Sequence, residues 1–210
     1  MKALMFSWNG EVDINQFDYD LCFLQRYKKK YAEQIQYQNH YINNYGQRGL
    51  CIIDKNKIGL NVEVKQFNDY IPNHNDDCQG QYWQTMKIGK YKIINASICY
   101  PNDDMPESVY YNQGKQLLDM LDDNTLIVSD LHFEDEEIEQ EKILSFKERN
   151  LTNHLSTFKA FTNKRGYELS LDKIITTNNS NISISNINVI KCEKEAIVGH
   201  WPVEFEIQFA

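Results

Sequence analysis

Over the first hundred residues, apolar side chains fall in short runs among β-branched and aromatic neighbours, separated by turn formers. KALMFSW, DLCFLQRY, RGLCIIDK, IGLNVEVKQF, YWQTMKIG and YKIINASICY each predict a strand. Asn56-Lys57-Ile58-Gly59 and Ile88-Gly89-Lys90-Tyr91 read as hairpin turns, because a glycine near the tip accepts positive φ. Residues 68–80, NDYIPNHNDDCQG, carry a turn former at nearly every position and read as a polar loop.

The period lengthens at residue 106. In PESVYYNQGKQLLDMLDD, Val109, Tyr110, Leu117, Leu118 and Leu121 recur at helical spacing behind a Pro-Glu start. TLIVSDLHF then has the nearly unbroken apolar run of a buried central strand. The acidic EDEEIEQEK opens a second helical region reaching roughly to FKAF, its carboxylates suited to a helix N-terminus. Strands return with YELSLDKIITT and NISISNINVI, and the chain closes on PVEFEIQF, a period-two alternation read as an edge strand. Helices do not regularly separate the strands, so the order predicts an α+β or α/β sandwich rather than a doubly wound sheet. No repeat or Pro/Gly/Ser linker divides residues 1–210, which are expected to form one domain.

Charge and cysteines narrow the functional classes. The net charge of −8 does not suit a general nucleic-acid binder, since phosphate binding is mainly a lysine and arginine effect. It suits a phosphate site where a metal supplies the positive charge, and equally a surface for a basic protein partner. Five cysteines, odd in number and without C-x-x-C pairing, read as reduced thiols of a cytoplasmic protein. The apolar stretch in MKALMFSWNGEVD is too short for a signal-peptide core or a bilayer span, so no membrane role is expected.

Four separated segments place polar residues at strand ends: Trp8-Asn9-Gly10-Glu11, Ser129-Asp130-Leu131-His132, Ser170-Leu171-Asp172-Lys173 and Gly199-His200-Trp201-Pro202. Singly, each has a plain structural explanation: an Asn in a turn, an Asp capping a helix, a His packed on Trp. Asp130-Leu131-His132 also matches the D-x-H of metallophosphoesterases, but that family's later N-H-E/D and G-H motifs are missing.

Taken together and in order, the segments resemble the endonuclease/exonuclease/phosphatase (DNase I-like) family. Its motifs run W-N, L-Q-E, Y-x-P-N, G-D-x-N, R-x-D-Y and S-D-H-x-P-V. Their counterparts here are Trp8-Asn9, Leu24-Gln25-Arg26, Cys99-Tyr100-Pro101-Asn102, Ser129-Asp130-Leu131-His132, Leu171-Asp172-Lys173 and Val198-Gly199-His200-Trp201-Pro202-Val203. The resemblance implies a four-layer sandwich, two packed and mostly antiparallel sheets flanked by helices. It implies Asp130 as general base and His200 as the imidazole steadying charge on phosphate, with Asn9 and Asp172 holding the phosphate or orienting His200. It places His132 with them, Glu11 on the metal side and Asn102 on the substrate side; Arg26 joins the substrate side as an arginine able to pair with phosphate directly, and Lys28 as a basic neighbour of the site. Lys28 opens a basic run, Lys28-Lys29-Lys30, followed by Tyr31.

The departures are as informative. The metal-binding glutamate of L-Q-E is Arg26, which stays charged and cannot ligate a cation. The aspartate of S-D-H is Gly199, the asparagine of G-D-x-N is His132, and the arginine of R-x-D-Y is Ser170. Losing two metal-side carboxylates points to a degenerate nuclease or phosphodiesterase that binds nucleic acid, another phosphodiester or a protein partner through the old cleft. The alternative is an active phosphodiesterase using Mg²⁺ or Mn²⁺ in a site rearranged around Glu11, Asp13, Asp130 and His132.

Overall fold

A computed structural model describes residues 1–8, 12–36, 40–45, 48–69, 82–98, 106–134, 136, 138, 144–162, 167–191 and 199–210. The first half runs β1 (Lys2–Ser7), β2 (Leu21–Lys28), β3 (His40–Tyr45), β4 (Arg48–Asp54), β5 (Leu60–Gln66), β6 (Tyr82–Ile88) and β7 (Tyr91–Ser97). Then follow α1 (Glu107–Leu118), β8 (Thr125–Asp130), β9 (Leu151–Asn153), β10 (Phe161–Thr162) and β11 (Glu168–Leu169). The chain ends with β12 (Asp172–Thr177), β13 (Ile182–Val189), β14 (Gly199–His200) and β15 (Val203–Phe209).

Two six-stranded sheets result, in the orders β13-β15-β1-β2-β4-β3 and β5-β6-β7-β8-β12-β9, with a small sheet β11-β10-β14 beside them. Among the described strands only β1–β2 and β7–β8 pair parallel, so both large sheets are mixed and mostly antiparallel. Side-chain alternation explains why the strands read as unbroken apolar runs. Ala3 and Met5 of β1 and Leu21 and Phe23 of β2 face the core between the sheets, with Val128, Ile174 and Phe205. Leu4, Phe6, Cys22 and Leu24 point the other way, packing with Trp8, Ile14, Tyr19 and Ile35. Across the molecule Ile94, Ala96, Ile127 and Ile175 are covered by Tyr110, Leu117 and Leu118 of α1. With both faces covered, a strand loses its polar alternation.

The sandwich is as expected, but the helical layers are thin. Among the described residues α1 is the only long helix, and 3-10 turns at Ile14–Gln16 and Lys29–Gln34 serve the opposite face. The second helical region does not reach FKAF. A helical bond runs from Ile138 N to Glu134 O (3.1 Å), but residues 144–150 are turns and β9 follows. Side chains there bond the local backbone instead: Ser145 Oγ accepts from Glu148 N and Asn153 Oδ1 from Leu155 N.

Two other expectations are corrected. β15 is not an edge strand but lies between β13 and β1. Its alternation arises because Val203, Phe205 and Ile207 face the core while Glu204, Glu206 and Gln208 face outward. Residues 56–59 are not a hairpin, because β4 and β5 belong to different sheets. Asp54 accepts hydrogen bonds from Ile58 N (2.9 Å) and Gly59 N (2.7 Å), turning the chain across the sandwich. The turn at 88–91 is a hairpin, with Gly89 at φ 57.

A buried polar bridge joins the sheets. Gln25 Nε2 donates to Asn95 Oδ1 (2.7 Å), and Asn95 Nδ2 donates to Gln84 Oε1 (3.0 Å) and to the Leu24 and Cys51 carbonyls (3.3 Å each). Asn95→Leu removes these bonds, and each buried orphan costs about 1–3 kcal/mol. Urea unfolding is expected to show a loss of at least ~3 kcal/mol; a loss under ~1 kcal/mol would mean the sheets do not depend on the bridge.

Candidate functional site

The parallel pairs end together. Ser7 is in register with Gln25 at the end of β1–β2, and Ser97 with Asp130 at the end of β7–β8. Ser7 Oγ donates to Asp130 Oδ2 at 3.2 Å, tying the two sheets at this end. Antiparallel pairing of β8 with β12 sets Asp172 directly opposite Asp130.

β14 pairs with β10 and brings His200 beside them, its ring 4.7 Å from that of Phe161. His200 Nδ1 lies 2.8 Å from Asp172 Oδ2, and Nε2 lies 3.6 Å from Asp130 Oδ2. His132 Nδ1 lies 3.3 Å from Asp130 Oδ1, a charge contact without hydrogen-bond alignment. Arg26 Nη1 is 3.3 Å from His200 Nε2. Asp130, Asp172, His200 and His132 are buried, whereas Arg26 is half-buried and meets solvent.

Two of these residues hold backbones that L-residues avoid, Arg26 at φ 52 and His132 at φ 58. Such a conformation costs about 1–3 kcal/mol. Arg26 lies where the β2–β4 register slips between Leu24 and Tyr27. The irregularity turns its side chain toward His200 instead of along the strand.

The electrostatics follow from this packing. Burial pushes the Asp130 carboxyl up, but His132, His200, Arg26 and the Ser7 hydroxyl outweigh it and hold the group below the ordinary carboxylate range. Asp172 is raised, by burial and by the charge of Asp130, with His200 opposing. Burial lowers the His200 imidazole, but Asp172 and Asp130 prevail and raise it overall. When His200 is neutral, its Nδ1–H faces Asp172 and Nε2 can accept from Arg26. When it is protonated, Nε2–H and the guanidinium present two donors to one space, which suits an oxyanion.

Asp130, Asp172 and His200 also offer three possible metal-ligand atoms within 4.8 Å of one another, and Oδ1 of each aspartate is buried without a hydrogen-bond partner. The set does not fit a resident Mg²⁺. Mg²⁺ requires several oxygen ligands, while here one of the three is an imidazole already facing Asp172 and Arg26. At 4 Å and an effective dielectric of ~20, a guanidinium repels a divalent ion by about 8 kcal/mol, the attraction of one carboxylate. Arg26 thus cancels one of the two aspartates.

The motif-based site is therefore assembled in part. Asp130, His200, Asp172, His132 and Arg26 converge. Lys28 is half-buried on β2, and among the described residues no contact ties it to the cluster. Asn9, Glu11 and Asn102 lie outside the described residues. Asp13 is not a ligand of this cluster: it is exposed and caps the turn at Ile14–Gln16, accepting from Asn15 N. Ser7, absent from the sequence reading, had one available signal, its position as the last residue of a strand before Trp8-Asn9.

Comparison with known proteins bears on this architecture. No family model matches the sequence, and no curated protein matches it. Solved structures do. The 3'-5' exonuclease NExo from Neisseria meningitidis is similar at a TM-score of 0.67 and 14% identity, over 100% of both chains. TDP2 from D. rerio, complexed with a single strand DNA product, gives 0.70 at 10% identity over 99% of this chain and 98% of that one. An endonuclease/exonuclease/phosphatase from Beutenbergia cavernae gives 0.70 at 11% identity, covering 100% of this chain and 71% of that one. The chain has the endonuclease/exonuclease/phosphatase fold. Identities this low establish the fold, and the chemistry must be read from this chain's own residues. In this endonuclease/exonuclease/phosphatase sandwich the cluster sits where the two parallel strand pairs end.

A pH dependence follows. A raised imidazole contributes stability that is full below its unfolded value and is lost as pH rises through the folded one. Wild-type stability is therefore expected to fall from about pH 6.5 upward, and His200→Gln is expected to flatten that limb. Urea melts between about pH 6 and 9 check this; an unchanged slope in the variant would contradict it. Asp130 acts at the other end, with stability lost as pH falls through its depressed value.

Proposed function

We propose that this chain is a degenerate member of the nuclease fold that binds nucleic acid through the former active-site cleft, with Arg26 supplying the positive charge that a divalent cation would otherwise bring. The observation that carries the reading is the guanidinium 3.3 Å from His200 Nε2, inside a cluster whose other charged members are two buried carboxylates. Arg26 is planar, permanently charged and partly open to solvent, the properties that suit recognition of a phosphate oxygen. His200 faces the same space and reinforces it when protonated. Lys28, two residues along β2, extends the basic character toward the surface.

The DNA-bound similar structures support nucleic acid as the ligand: TDP2 with a single strand DNA product, and NExo with a DNA hairpin. Among the described residues, no helix is long and apolar enough to cross a membrane. Hydrolysis by the ordinary metal-dependent route is not part of the proposal, because the glutamate and aspartate of the family motifs are Arg26 and Gly199.

The test is fluorescence anisotropy with a labelled single-stranded oligonucleotide in EDTA. Binding is expected, and Arg26→Ala is expected to weaken it by about 10-fold or more, since a charge-assisted contact contributes about 1.5–3 kcal/mol. Lack of binding, or an unaffected variant, would overturn the proposal. Cleavage of DNA or RNA in Mg²⁺ or Mn²⁺ that disappears in Asp130→Ala would instead establish the rearranged metal enzyme. Arg26→Glu combined with Gly199→Asp is expected to bind Mg²⁺ more tightly than wild type, read by calorimetry. No gain would place the motif register in error.

A further inference from the structure

His132 holds its imidazole against Asp130 from a left-handed backbone, and such a conformation persists only where neighbours over-determine it. Helix α1 supplies the constraint. The Tyr110 hydroxyl donates to the His132 carbonyl at 2.8 Å, and that carbonyl lies beyond the end of β8, where the sheet ladder stops. The Tyr110 ring stacks on Phe133, with centroids 3.8 Å apart and planes 29° apart, and the Tyr111 ring lies 5.4 Å from Tyr110 and 5.5 Å from Phe133. One helical turn on, Gly114 allows the close approach. A Cβ there would lie 3.1 Å from Phe133 Cε2 and 3.2 Å from Leu144 Cδ2.

We propose that Tyr110 is a positioning residue for the site, holding the His132 backbone turned so that its imidazole faces Asp130. Tyr110 and Phe133 are buried, and the hydroxyl's bond to the His132 carbonyl links α1 directly to the backbone that carries the imidazole. The position of α1 on the second sheet thereby sets one of the two imidazoles beside the carboxylate. A phenylalanine would fill the same space and keep the stack, so the hydroxyl is needed for the carbonyl rather than for packing. The effect on ligand affinity rests on the nucleic-acid reading above; the effect on His132 does not.

The experiment compares wild type, Tyr110→Phe and Gly114→Ala by long-range ¹H–¹⁵N correlation of the histidine side chains at one pH, with oligonucleotide anisotropy alongside. Tyr110→Phe is expected to move the His132 ring nitrogens away from their carboxylate-facing shifts. Those of His154, bonded to Thr176 Oγ1 at 2.9 Å, should stay in place. Gly114→Ala puts a better helix former into α1 but crowds Phe133, so it is expected to move the same His132 signals. In the nucleic-acid reading, oligonucleotide affinity should also fall about fivefold, the worth of one neutral hydrogen bond. Unchanged His132 signals in Tyr110→Phe would overturn the proposal, whatever Gly114→Ala does. Shifted His132 signals with no oligonucleotide binding even in wild type would uphold the role of Tyr110 and overturn the proposed function.

Discussion

Two carboxylates held directly opposite each other on adjoining buried strands are the constraint to which the rest of the site responds. β8 and β12 pair so that Asp130 faces Asp172, and neither side chain reaches solvent. Two bare charges at that spacing in a low dielectric are not tolerable without nearby cations or protons. The chain answers with His200 against both carboxylates, His132 against Asp130 and Arg26 against His200, while Asp172, the more weakly compensated of the pair, is pushed up. The result divides labour between the aspartates. Asp130 is held ionised, and Asp172 orients His200 through Nδ1.

The polar bridge between the sheets shows why these positions are stable enough to sustain strain. Gln25 precedes Arg26, and its amide is fixed to Asn95 in the opposite sheet, so β2 is anchored immediately before its irregularity. Ser7 performs a similar service from β1, reaching across to Asp130. Left-handed backbone at Arg26 and His132 costs energy locally, and the surrounding hydrogen bonds and stacked rings make relaxation more costly still.

What could be read from the chain depended on the range of the information. The identities of Asp130, His132, Asp172, His200 and Arg26 were legible because each ends or follows a strand within an ordered set of short motifs. The sandwich was legible from strands dense in apolar residues. Strand neighbours were not. The alternation of β15 reports which face is buried, and it does so equally for an edge strand and for one lodged between β13 and β1. The Asn56–Gly59 turn has hairpin composition, yet the Asp54 carboxylate directs the chain to the other sheet. The bonds of Ser7 and Tyr110 were out of reach for the same reason: their partners lie 123 and 22 residues away, and neither the strand-end position of Ser7 nor the helical spacing of Tyr110 names a bonding partner.

Net charge and site charge also act over different ranges, which reconciles an acidic chain with a phosphate-binding reading. The excess of eight negative charges is spread over the whole molecule, and screening at physiological ionic strength limits each surface charge to roughly 8 Å. A protein that tracks many phosphates along a duplex needs a basic stripe, and composition argues against that mode. A site that grips one phosphate needs only a few donors in one place. Arg26 and His200 converge within hydrogen-bonding distance, against carboxylates already committed to histidines. Binding of that kind depends on local geometry rather than on total charge.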